Sequence, residues 1–115
     1  MGLLTGKYDA AASFPDDDFR RNWINDPDQN QQFLRDLDTV AGLSGSVPAD
    51  KTMAQFALRF AASNHAVSTV IPGARNASQA TSNAQVGSMP PLLVEERAAV
   101  DALVPAGGGR KIWPA

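Results

Sequence analysis

The sequence contains no cysteine. Disulfide bridges and thiolate metal sites are thereby excluded, and a cytoplasmic location is the expectation. No apolar run approaches the roughly 18–20 residues of a membrane span. The opening Met1-Gly2-Leu3-Leu4-Thr5-Gly6-Lys7 lacks the shape of a secretory signal, and Gly6 stands where an N-myristoylation pattern needs Ser or Thr. Basic residues are not in excess: 10 Lys and Arg face 12 Asp and Glu, for a net charge of −2. Without a basic stripe, nucleic acid and anionic membrane surfaces are poor partners. Titratable groups suited to proton transfer at neutral pH are scarce, with one His and one Tyr in the whole chain.

What is present suits a folded chain of one domain at most. Hydrophobic residues make up 43% of it, which is too many for a disordered tail. Residues 1–27 read as irregular, punctuated by Gly2, Gly6, Pro15 and Pro27 and carrying the acidic run Asp16-Asp17-Asp18. Residues 28–41 read as a helix. Asp28 is its expected cap, Gly42 its stop, and Phe33, Leu34, Leu37, Val40 and Ala41 its apolar stripe. Residues 52–63 read as the most secure helix. Thr52 and Gln55 form a capping-box signature, and Met53, Phe56, Ala57, Phe60 and Ala61 recur on one face.

The β-branched run at 67–71 is expected to be a short strand, closed by Pro72 and Gly73. A helix follows at about 76–84, capped by Asn76 or Ser78. After the Met89-Pro90-Pro91 turn comes a last helix, about 93–103, with Glu95 and Glu96 in its first turn. Pro105 and Gly107-Gly108-Gly109 end it, and residues 105–115 form a tail without periodicity. One strand cannot make a sheet, because its backbone hydrogen-bonding groups need partners. The chain is therefore expected to belong to a larger assembly or to pair with another chain.

Chemistry concentrates where the strand turns into the helix, at Ile71-Pro72-Gly73-Ala74-Arg75-Asn76-Ala77-Ser78-Gln79-Ala80-Thr81-Ser82-Asn83. A helix N-terminus offers unpaired N–H groups and the positive end of the dipole. Gly73 permits close approach to the backbone, and Arg75 adds a planar cation that can fork onto a phosphate. Gln79 and Asn83, four apart, share one helix face. Such a strand–glycine–helix turn is, on its own, more often only a turn. Asp16-Asp17-Asp18 has no neighbouring His and reads as a solvated loop, so no metal site is expected. Trp23 and Trp113 read as packing residues.

Three motifs in order carry a resemblance: Gly2-Leu3-Leu4-Thr5-Gly6-Lys7-Tyr8, then Ala54-Gln55-Phe56-Ala57-Leu58-Arg59-Phe60, then Val70-Ile71-Pro72-Gly73-Ala74-Arg75-Asn76 with Gln79 and Asn83. Together they resemble the closing part of the aldo-keto reductases, from Gly2 to about Leu103. The Gly-Ala-Arg-Asn form resembles the bacterial branch that includes the potassium-channel β subunits. The resemblance implies an α/β fold, the C-terminal third of a (β/α)8 TIM barrel. On its own that third would be mostly helical, with one short strand. It would comprise a cofactor and lid loop at 1–27, the last helices and strand at 28–104, and the tail. The chain is under half the ~250 residues typical of such barrels.

The same resemblance implies NADPH as cofactor and a small carbonyl compound as substrate. Gly73, Arg75, Gln79 and Asn83 would hold the adenosine 2′-phosphate and adenine end. Ser82 stands where the family often has an acidic residue reaching the adenine. Leu3, Gly6 and Lys7 would lie over the pyrophosphate, with Arg20 or Arg21 as a further phosphate contact. No catalytic residue is expected here. The family's proton-donating Tyr and its Lys, Asp and His partners come from earlier strands. Tyr8 matches a non-catalytic position, and His65 lies at the wrong end of a barrel strand. The chain alone is thus expected to be inactive, to bind NADPH weakly or not at all, and to be loosely folded unless joined by an upstream barrel half. The competing expectation is a small non-enzymatic helical module that binds a protein partner. A helix-turn-helix is disfavoured, because Pro72 and the β-branched run cannot form a recognition helix.

Overall fold

The computed structural model describes residues 2–104. The expected tail, with Pro105, the glycine run and Trp113, lies outside them. Among the described residues the architecture is helical: α1 (Asn22–Asn25), α2 (Pro27–Ser44), α3 (Met53–Ala62), α4 (Ala77–Gln85) and α5 (Val94–Leu103), with 3₁₀ turns at Leu3–Thr5, Phe19–Arg21 and Val86–Ser88.

The expected strand at 67–71 does not form, and no β-strand occurs among the described residues. A β-branched run becomes a strand only when a neighbour satisfies its N–H and C=O groups, and no second segment pairs with it here. Ile71 is left 90% exposed. The stretch expected to be irregular, 1–27, is instead partly helical. Asp18 caps the Phe19–Arg21 turn by accepting the Arg20 N–H, and α1 follows directly.

The long helix α2 begins one step earlier than expected. Asp26, in an extended conformation, accepts the Gln29 N–H at 2.9 Å, and Pro27 occupies the first helical position. Proline there already has a helical φ and lacks only an N–H that would be unpaired anyway, so the cap falls on Asp26 and not on Asp28. Gly42 does not stop the helix, which runs on to Ser44. Its small size serves packing: a Cβ at Gly42 would lie 3.2 Å from Leu103 Cδ1 of α5. The buried stripe of α2 is Phe33, Val40 and Leu43, whereas Leu34 remains 39% exposed.

The capping box of α3 forms as expected. Thr52 Oγ1 accepts the Gln55 N–H, and Gln55 Oε1 accepts the Thr52 N–H, each at 3.1 Å. The core sits where α2, α3 and α5 meet, on Leu43, Phe56 and Val100, with Met53, Phe60 and Leu92 packed around them. A second apolar centre joins α1 to α2, where Trp23 stacks on the fully buried Phe33 at 5.6 Å between ring centroids. Each buried aromatic contributes roughly 1.5–3 kcal/mol of burial. One polar hub crosses between α3 and α5: the Arg59 guanidinium donates to both Glu96 carboxylate oxygens and to the Pro90 and Pro91 carbonyls.

Candidate nucleotide-binding site

The segment leaving 67–72 is tied into a turn by its own polar side chains. Asn76, in an extended conformation, caps α4 by accepting the Gln79 N–H at 2.9 Å. Gln79 Oε1 reaches back and accepts the Arg75 N–H at 2.8 Å. Asn83, one turn further along, donates Nδ2 to the Gly73 carbonyl at 3.2 Å. Gly73, Arg75, Gln79 and Asn83 are thus joined by hydrogen bonds, with Gln79 and Asn83 one turn apart on α4. The Ala77 and Ser78 N–H groups of the first turn remain without a backbone partner among the described residues. The Arg75 guanidinium is exposed and makes no ion pair among those residues. Nothing lies within 4 Å of a Cβ built on Gly73, so its backbone is open to approach. A cation, helix N–H donors and an open backbone within one short turn fit an anionic group such as a nucleotide phosphate.

Ser82 contributes to the support of α4 through its backbone. Its carbonyl accepts Gln55 Nε2 from α3 at 3.2 Å.

The second group of expected residues lies in the Leu3–Thr5 turn. Gly2 (φ +88°) and Gly6 (φ +70°) bracket it, both in the left-handed region that glycine enters without strain. The Gly6 N–H closes the turn onto the Leu3 carbonyl at 3.3 Å. Lys7 emerges beside it with Nζ 4.8 Å from the Tyr8 ring centroid. A Cβ on Gly2 would lie 3.3 Å from Lys7 Cε, so Gly2 also makes room for the lysine. No hydrogen bond or ion pair joins Lys7 to the 73–83 turn among the described residues.

Arg20 and Arg21 are both paired. Arg20 bonds both carboxylate oxygens of Asp18 and the Tyr8 hydroxyl, and lies over the Phe14 ring at 5.0 Å. Arg21 pairs with Asp16 at 2.7 Å. Asp16 and Asp18 of the acidic run are therefore arginine partners, and no group of three metal-binding side chains occurs among the described residues. Tyr8, with its hydroxyl accepting from Arg20, is part of this latch. Trp23 is buried, as a packing residue should be.

The Arg20 side chain and N–H hold Asp18 below the ordinary 3.8, at about 2, and the Arg75 charge adds to the effect. A carboxylate depressed in the folded chain adds stability that is present above its unfolded value and is lost as pH falls through the folded one. The latch is therefore expected to persist down to about pH 4 and to open between about pH 4 and 2. A carbon-detected NMR titration of the Asp18 carboxyl group checks this, with its midpoint moving back up in Arg20→Met. An Asp18 midpoint near the ordinary value in the unaltered chain would refute it.

Three supporting residues are not announced by the sequence. Gln55 was visible as half of a capping box, but nothing nearby in sequence announced that its amide also reaches α4. The Arg59–Glu96 pair spans 37 positions and follows no short-range pattern.

Comparison with curated proteins and with solved structures finds no significant match. The sequence model of the Aldo/keto reductase family matches residues 1–105. With that match spanning the glycine turn, the Ala54–Phe60 motif and the Arg75 turn, the chain belongs to the aldo/keto reductase family.

Proposed function

We propose that this chain is the nucleotide-holding, C-terminal part of an NADPH-dependent carbonyl reductase of the bacterial branch, with the chemistry supplied by residues outside it. One observation carries this: the Gly73–Asn83 turn presents an exposed Arg75 beside the unpaired N–H groups of α4, with its backbone fixed by Asn76, Gln79 and Asn83. Arg75 and the α4 N-terminus would hold the adenosine 2′-phosphate. Asn83 and Gln79 would keep the turn in shape. Lys7, on its two-glycine loop, would face the pyrophosphate, and Leu3 and Gly6 would shape that loop. Bound NADPH would supply the hydride for reduction of a carbonyl to an alcohol.

The unpaired run at 67–71 supports placement in a barrel, where strands on either side would satisfy it. The single Tyr supports an acid supplied from elsewhere. Tyr8 is held by Arg20, and a second tyrosine is absent from the sequence. A cytoplasmic location fits the lack of cysteine, and no helix among the described residues is long and apolar enough to cross a membrane.

The test is fluorescence titration with NADPH and with NADH, of this chain alone and mixed with the N-terminal half of a family barrel. Binding is expected chiefly in the mixture. Arg75→Ala is expected to weaken NADPH roughly 10- to 100-fold, the value of a charge-assisted hydrogen bond, and to leave NADH nearly unchanged. Equal losses for both nucleotides, or no loss for either, would remove the 2′-phosphate assignment.

A further inference from the structure

The geometry points to Gln55 as the positioning residue that sets the nucleotide turn from behind, by tying α4 to the start of α3 through one buried amide. The inference rests on the nucleotide reading above and adds a residue to it. Gln55 is 5% exposed, beside the buried Phe56 and one turn before the buried Arg59 on α3. A buried amide is retained only when its donors and acceptor are satisfied. Here Oε1 accepts the Thr52 N–H at 3.1 Å, whereas Nε2 donates to the Ser82 carbonyl and to Gln85 Oε1, both at 3.2 Å.

The two ends of the side chain therefore do different work. The oxygen completes a local cap, within three residues. The nitrogen holds the far helix at Ser82 and Gln85, one turn beyond Gln79 and beside Asn83. Those two residues carry the contacts that fix Arg75 N–H and the Gly73 carbonyl. A helix is stiff over this length, so a shift of α4 at Ser82 is passed on to the turn at Gly73–Asn76. Among the described residues, the hydrogen bonds that join α4 to α3 are those of Gln55, whereas the turn's own hydrogen bonds lie within 73–83 and fix its shape.

The experiment compares Gln55→Met, which keeps the volume and loses every hydrogen bond, with Gln85→Ala, which removes one acceptor, and Thr52→Ala, which breaks the cap alone. Each is examined in the full chain mixed with the N-terminal barrel half. Two quantities are read: amide hydrogen exchange at Arg75 and Gln79 without ligand, and binding of 2′-AMP, with adenosine as the control. Gln55→Met is expected to speed exchange at both amides and to weaken 2′-AMP roughly fivefold, the value of about one hydrogen bond. Gln85→Ala should do the same more weakly. Thr52→Ala should lower the melting temperature without either change. Unaltered exchange at Arg75 and Gln79 in Gln55→Met, or equal changes in Thr52→Ala, would overturn the role of Gln55. If Arg75→Ala leaves 2′-AMP binding intact, the nucleotide reading fails instead, and the exchange data still judge whether Gln55 places the turn.

Discussion

Replacing Arg59 by alanine is expected to lower the stability of this chain sharply, read with the N-terminal barrel half present. Arg59 is 3% exposed and donates to Glu96 Oε1 and Oε2 at 2.9 and 3.0 Å. It also satisfies the Pro90 and Pro91 carbonyls at 3.1 Å each, and Glu96 accepts the Leu93 N–H at 2.7 Å. The pair thus fastens α3 to the proline turn and to the start of α5. Truncating Arg59 leaves a buried carboxylate without its cation and two carbonyls without a donor. Breaking one side of such a pair typically costs about 3–5 kcal/mol, against about 5–15 for a whole domain. The double replacement Arg59→Met with Glu96→Leu is expected to recover much of the loss, because no charge is then stranded. Thermal unfolding followed by circular dichroism distinguishes the three proteins. A transition in Arg59→Ala within ~2 °C of the unaltered chain would show that the hub contributes little, since ~1 kcal/mol already moves a domain of this size by several degrees. Acid should act in the same direction. The Arg59 hydrogen bonds lower the Glu96 pKa, so its contribution is present above the ordinary carboxylate range and is lost as pH falls through the depressed value.

This hub shows why the sequence revealed some of the molecule and not the rest. Features written within four residues were legible: the Thr52–Gln55 box, the Asn76 cap, the Gln79 and Asn83 spacing and the extents of α3, α4 and α5. Each is decided by backbone geometry that a short stretch imposes on itself. Arg59 and Glu96, 37 positions apart, are joined only by the way α5 packs on α3, and no local rule pairs them. Asp28 was an understandable choice of cap, but Pro27 is better placed inside the helix than before it, and this moved the boundary to Asp26. Gly42 suggests a helix stop, but α2 runs on to Ser44, and the glycine instead leaves room for Leu103, a contact set by tertiary packing. The 67–71 run illustrates the opposite limit. Its β-branched pattern suggests a strand, yet strand formation depends on a neighbour, and among the described residues it has none and stays irregular. The residues of the candidate turn can be named from the sequence because the turn is short. What holds that turn in place cannot, because Gln55 acts across 27 to 30 positions.

Phe33→Ala is the companion expectation, and it reaches from stability to the proposed pyrophosphate loop. Phe33 is fully buried, and a Phe-to-Ala change at such a site costs about 3–5 kcal/mol. Its ring stacks on Trp23, which meets the edges of Phe14 and Phe19 at 5.9 and 6.2 Å, and Phe14 meets Tyr8 at 5.4 Å. Tyr8 in turn lies under Lys7 Nζ and accepts from Arg20. A row of rings therefore connects the middle of α2 to the lysine loop, and the Asp18–Arg20 latch rests on the same row. Removing Phe33 takes away the base on which Trp23 stacks. Trp23 should then be wetted, and its emission should shift to the red. Phe56→Ala is the proper control, because Phe56 is equally buried but belongs to the Leu43–Val100 core, away from the ring row. Both changes should destabilise by similar amounts, and only Phe33→Ala should move Trp23 emission at temperatures below the transition. The measurement is made with Trp113→Phe as background, so that a single indole reports. If Phe33→Ala leaves the emission unchanged while lowering stability, the rings pack as separate pairs and the ring row does not support the lysine loop. If the emission shifts and Lys7 resonances broaden with it, the loop expected to face the pyrophosphate is held by hydrophobic contact with a helix that never touches nucleotide.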